Sequence, residues 1–295
     1  MKHFRRKLLG LVIRIFFNVS RLWSWSFGQK LGTILGYIAY YLLPKYRQIV
    51  QNNLAYIFPD RHIHDRMKLA RQVFVNQGKS FFELLFFPKL NQDNIKRLVQ
   101  FKGKENIERG LSRGKGVLIL SAHFGNWELL GATLSLAGFP INVIARKVYI
   151  EDVDRLLVYL REAKGMKVIS RGERESAKYI LKALRRNEAI GILIDQNTKS
   201  VPGINVDFLG KPAYTPMGLA VIAMKSSAAV VPGFIYRKSN GTHQVELCPP
   251  VELVYTGNYS EDVKQNTYIF NQIIGSYIKR YPEQWVWFHK RWENK

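Results

Sequence analysis

Two residues five positions apart, His123 and Glu128, carry the side chains best suited to acid–base chemistry in this chain. A neutral imidazole oriented by a carboxylate is a general base, and the group it would activate is a hydroxyl. At about 100° per residue, five helical positions leave two side chains roughly 140° apart, so one continuous helix would not bring both to one face. The flanking sequence offers another geometry. Residues 117–120 are a short apolar run of the kind a buried strand shows, and 127–137 read as a helix. His123 then lies in a strand-to-helix turn, and a bend at Phe124-Gly125-Asn126, with the backbone freedom of Gly125, returns the Glu128 carboxylate to the imidazole. The residues by themselves leave His123 equally open as a buried structural histidine.

The elements that must position this turn follow in alternation. Strands are predicted at 141–145, 167–169 and 190–194, and helices at 152–163 and 175–186. A polar loop, 195–212, comes next, and Pro216 opens a helix to Lys225. Two strands at 228–236 and 244–253, open to antiparallel pairing, precede a last helix over about 261–280. Repeated strand–helix units predict an α/β fold with a mostly parallel central sheet flanked by helices. Ligands bind such sheets beyond the carboxyl ends of the strands. Four segments reach that rim: His123 to Glu128, Arg146-Lys147, Ser170-Arg171-Gly172 and Asp195-Gln196-Asn197. Together they make an acid–base site for an anionic substrate, with Arg146, Lys147, Arg171, Asp195 and Gln196 as candidate substrate-binding residues. The cations also read as solvated rim residues.

Composition points the same way. The 295 residues include 45 basic against 22 acidic side chains, a net charge of +23, which calls for an anionic partner. A hydrophobic content of 47% argues against disorder. The single cysteine, Cys248, excludes an intramolecular disulfide and a cysteine-based zinc site. His62, His64 and Asp65 sit in a polar loop after Pro59 and read as solvated, not metal-ligating. No cleavable signal is expected, since Arg14 and Arg21 interrupt the apolar start. Residues 1–43 are the most apolar segment, with Lys7, Arg14 and Arg21 seven apart on one helical stripe. A charge at the bilayer centre costs at least about 2.5–3.5 kcal/mol, so a helix lying in the interface is preferred to a span. The cluster Lys2, Arg5, Arg6 and Lys7 adds an anchor to an anionic lipid surface of about 1 kcal/mol per charge. Residues 27–43 approach the lower length limit for spanning before Pro44 stops them.

The hexapeptide His123-Phe-Gly-Asn-Trp-Glu128 resembles the HX4(D/E) motif of glycerolipid-type acyltransferases, in the version of the lipid A biosynthesis (late) acyltransferase family. Other blocks resemble that family in the right order. They are Asn53-Leu54 with Phe58-Pro59, Arg146-Lys147, Asp195-Gln196 leading to Val206-Asp-Phe-Leu-Gly-Lys-Pro-Ala-Tyr-Thr-Pro216, and Pro282-Glu-Gln-Trp-Val-Trp-Phe-His-Lys-Arg-Trp292. Asn197, the stretch 199–203 and Leu209 depart from the family pattern. The resemblance implies transfer of a fatty acyl group from acyl carrier protein, or coenzyme A, to a hydroxyl of a lipid A precursor. Another glycolipid, a lysophospholipid or an aminolipid is the alternative acceptor. His123 would deprotonate the hydroxyl, Glu128 would hold the imidazole tautomer, and Arg146 would meet the oxyanion or a phosphate. No metal and no cofactor beyond the acyl thioester is implied. Residues 1–43 would anchor an acyltransferase domain, 44–295, to the cytoplasmic face of the inner membrane. The partners would be the anionic membrane surface, the lipid acceptor and acyl carrier protein, and no nucleic acid. A basic nucleic-acid-binding protein would also explain the charge, but no nucleic-acid motif is present. A non-catalytic membrane scaffold would have no need of the His–Glu pair.

Overall fold

In the computed structural model, residues 17, 19–20, 22–172, 175–198 and 201–292 are described. The cation cluster at 2–7 and all three residues of the Lys7–Arg14–Arg21 stripe lie outside them.

The five residues of β2 (Val117–Ser121) are all buried. Side chains alternate across a strand, so Leu118 and Leu120 join one hydrophobic core while Val117 and Ile119 join another on the opposite face. This is what a strand covered on both sides requires. Around it are β1 (Val99–Lys102), β3 (Ile141–Ala145), β4 (Lys167–Ser170), β5 (Ala189–Leu193), β8 (Ala229–Arg237) and β9 (His243–Leu247), in the order β1-β9-β8-β2-β5-β3-β4. Every neighbouring pair is parallel except β8–β9, so the expected α/β architecture is found.

The helices are α1 (Trp25–Leu42), α2 (Pro44–Ile57), α3 (Ile63–Leu85), α4 (Gln92–Leu98), α5 (Lys104–Leu111), α6 (Trp127–Leu136), α7 (Glu151–Glu162), α8 (Ser176–Arg185), α9 (Gly218–Ser226) and α10 (Tyr259–Arg280). The edge unit β1–α5 is absent from the sequence reading. The predicted strand 244–253 ends early, because Pro249 and Pro250 have no N–H to continue a ladder.

The predicted loop 195–212 is corrected in part. It contains β6 (Gly203–Phe208), which pairs with β7 (Lys211–Pro216) as an antiparallel ribbon, and the following helix starts at Gly218. Leu209 and Gly210 both take positive φ, 59° and 84°, which matches the twist of a two-residue hairpin turn. Asn271 on α10 fixes the ribbon by donating its amide to Asp207 O at 3.0 Å and Thr215 Oγ1 at 2.9 Å.

α1 lies against α3 through Gly28, Gly32 and Gly36, and a Cβ at Gly32 or Gly36 would collide with α3 backbone. Its other face leaves Phe27, Ile34, Ile38, Tyr41 and Leu42 exposed. Among the described residues no helix is long and apolar enough to cross a membrane.

Candidate active site

β2 and β5 run parallel with Ser121 opposite Leu193. Two residues further on, the same register brings His123 beside Asp195. The imidazole Nδ1 is 2.9 Å from Asp195 Oδ1. Asp195 is fully buried, and its Oδ2 accepts a hydrogen bond from Trp285 Nε1 at 2.8 Å. Burial pushes this carboxyl toward the neutral form, but the charge and hydrogen bond of His123 and the indole N–H outweigh it and hold its pKa below the ordinary value. An ionised carboxylate only accepts, so Nδ1 carries the proton and Nε2 is left as the base. The ring is a quarter exposed and packs edge-on against Trp127 at 5.1 Å.

Glu128 does not hold this imidazole. It stands in the first turn of α6 and is engaged by Arg161 from the end of α7, with Nε–Oε2 2.9 Å and Nη2–Oε1 2.6 Å. Burial opposes the Arg161 charge, yet the Glu128 hydrogen bond and carboxylate raise its pKa. The expected His123–Glu128 contact is therefore corrected to His123–Asp195. The neighbouring parallel strand delivers a carboxylate in register, whereas α6 carries Glu128 toward α7. Asp195, expected among the substrate-binding residues, has no exposed surface to offer a substrate.

The turn itself is held by backbone. Gly125 has φ 59°, and a Cβ there would overlap the carbonyl oxygen of Ile235, so glycine is required at this bend. Gly125 N donates to Gln284 O at 2.8 Å, and Val286 N donates to His123 O at 3.0 Å. The terminal block 282–292 thus clasps both His123 and Asp195. Asn53 of α2 ties that block down by donating to Trp287 O and His289 O, both at 2.8 Å. Arg291, fully buried, donates to Tyr214 O and to Thr215 Oγ1, and burial pushes its pKa down to about 10.

The remaining predicted residues lie along the rim. Arg146 and Lys147 are exposed after β3, and Arg171 is half-buried after β4, its N–H on Ala145 O at 2.7 Å. Burial and the nearby charge of Arg146 both lower the pKa of Arg171, so two cations share this end of the sheet. Val148 N donates to Asp154 Oδ1 at 2.7 Å, which fixes the segment after β3 to the start of α7. Gln196 is half-buried beyond β5. Among the described residues no cluster of three metal-ligating side chains occurs. The sequence reading missed Arg161, and the one local signal was a lone arginine in the last turn of a predicted helix.

A family profile described as bacterial lipid A biosynthesis acyltransferase matches residues 1–294. The chain is 27% identical to a lipid A biosynthesis acyltransferase of Haemophilus influenzae, over 88% of this chain and 78% of that protein. It is 24% identical to the lipid A biosynthesis palmitoleoyltransferase of Escherichia coli, over 95% and 90%. A phosphatidylinositol mannoside acyltransferase of Mycobacterium tuberculosis is 23% identical, over 73% and 67%. With an imidazole set on a buried carboxylate at the sheet's rim, the chain is an acyltransferase that belongs to the bacterial lipid A biosynthesis acyltransferase family.

Proposed function

We propose that this enzyme moves a fatty acyl group from a thioester, on acyl carrier protein or coenzyme A, to a hydroxyl of a lipid A precursor at the cytoplasmic face of the inner membrane. The observation that carries the reading is the His123–Asp195 pair, an imidazole with Nδ1 fixed by a buried carboxylate. Nε2 takes the proton of the acceptor hydroxyl while its oxygen attacks the thioester carbonyl. The tetrahedral intermediate then collapses, and the departing thiolate receives that proton from the imidazolium. Asp195 stabilises the imidazolium and fixes the tautomer, the role expected of Glu128. Glu128 and Arg161 act as a neutral pair that ties the start of α6 to the end of α7. Arg146 and Arg171, two cations near each other, suit a phosphate on the acceptor or donor. Lys147 and Gln196 line the same rim.

The exposed apolar face of α1 supports an in-plane seat on the membrane, with the glycine face turned to α3. The net charge of +23 then meets anionic lipid. The mycobacterial relatives favour a second reading, a phosphorylated glycolipid other than a lipid A precursor. Purified enzyme given acyl carrier protein thioester and both acceptor types side by side should acylate the lipid A precursor, and His123→Ala should lose roughly 10²–10⁴-fold in rate. A His123→Ala protein as fast as the parent would sink the mechanism, and preference for the mannoside would move the acceptor.

A further inference from the structure

Beneath the catalytic turn lies a second charged cluster that the mechanism does not use. Glu83, in the last turn of α3, is 2% exposed. Its Oε1 accepts from Arg237 Nε at 3.1 Å and from Gln29 Nε2 of α1 at 2.6 Å. Its Oε2 accepts from Arg237 Nη2 at 2.9 Å and from Asn126 Nδ2 at 2.9 Å. Arg237, at the end of β8, is 8% exposed and also donates to Asn76 Oδ1 at 2.6 Å and Ser80 Oγ at 3.1 Å. Burial opposes the Glu83 charge, but Arg237 and the adjacent His243 hold its carboxyl far below the ordinary range.

A buried ion pair is weak evidence of stability, since desolvation offsets most of its attraction. Its direction here is informative. Asn126 sits between His123 and Glu128, and its Oδ1 caps α6 by accepting from Leu129 N at 3.1 Å. One amide therefore joins the helix that carries Glu128 to the carboxylate Glu83. From the far side, Gln284 exchanges hydrogen bonds with the Arg237 backbone at 2.7 and 2.9 Å, and its own carbonyl receives Gly125 N. Arg237 thus reaches the 123–128 turn by two routes.

We propose that Glu83 is a positioning residue for acyl transfer, acting through Asn126 to hold the His123 turn, with Arg237 as its fixed counter-ion. The inference rests on the proposed role of His123. It accounts for a charge pair placed where an apolar contact would be the cheaper way to fill space.

Three variants of the full chain, assayed in detergent with acyl carrier protein thioester and a phosphorylated glucosamine-disaccharide lipid, separate positioning from folding. Asn126→Ser keeps a good helix cap but withdraws the amide from Glu83. It should lose less Tm than Glu83→Gln and keep the parental KM while kcat falls roughly 10- to 100-fold, the scale of a small misplacement of a catalytic group. Glu83→Gln should lower both Tm and kcat, because Arg237 is left without its counter-ion. The double variant Glu83→Gln/Arg237→Gln should recover Tm but not kcat. Parental kcat in Asn126→Ser and in the double variant, or a change confined to KM, would overturn the proposal. His123→Ala is measured in parallel. Its retention of activity would remove the mechanism itself, whereas its loss beside an unaffected Asn126→Ser would remove only the positioning role.

Discussion

Two parts of the rim face the same open side of the sheet and are built in opposite ways. At the β2–β5 junction, His123, Asp195 and Trp285 form a bonded series, and backbone contacts from 284–286 close around it. At the β3–β4 ends, Arg146 and Lys147 stand exposed and Arg171 is half-buried. On the proposed function, the difference separates two kinds of work. A base must keep one tautomer and one direction, which needs buried partners with no water to compete. Recognition of a phosphate by cations needs charge and reach, and tolerates solvent and motion.

The sharpest way to break the comparison is Asp195→Asn. It keeps the shape but removes the charge and leaves one acceptor oxygen for two donors, His123 Nδ1–H and Trp285 Nε1–H, so kcat should fall roughly 10²–10⁴-fold with KM little changed. Steady-state kinetics with saturating acceptor checks it. Glu128→Gln should cost less in rate than Asp195→Asn and more in stability. It leaves Arg161, only 13% exposed, without its carboxylate, and urea unfolding should show a loss of about 2–3 kcal/mol. Equal damage to kcat from both substitutions would return Glu128 to the role of imidazole partner. Arg171→Ala should act on binding alone, raising KM for the proposed phosphorylated acceptor about tenfold, or about 1.4 kcal/mol. The gap from the parent should narrow in high salt.

The smallest effect is on pH. The Asp195 carboxyl titrates below its ordinary value in the fold, so its stabilisation is complete above about pH 4 and is lost as pH falls through the lower folded value. Tm measured from acid to neutral pH should decline at the acid end, and Asp195→Asn should flatten that decline. An unchanged slope in the variant would contradict the ionised, buried carboxylate.

The alternation of strands and helices from 117 to 194 was legible because each element repeats its own period, and its boundaries move by only a residue or so. The ribbon 203–216 was not. Its two prolines break the strand pattern, and a side chain over fifty residues away, Asn271, holds it in place. His123 was legible from its turn, but its partner was not. Chain proximity favoured Glu128, while the choice is made by strand order, which sets β5 rather than β3 beside β2. Arg161 and the Glu83–Arg237 cluster were hidden for the same reason, since each contact joins residues at least 33 apart in sequence.

The matched register of Ser121 and Leu193 bears on how such a chain can vary in length. Side chains flip faces at every step along a strand, so one residue inserted within 117–122 would turn the imidazole away from Asp195. The same insertion within 189–194 would turn the carboxylate away instead. After Gln196 no such parity fixes the chain leading to the ribbon. The two strands beneath the rim must therefore keep count together.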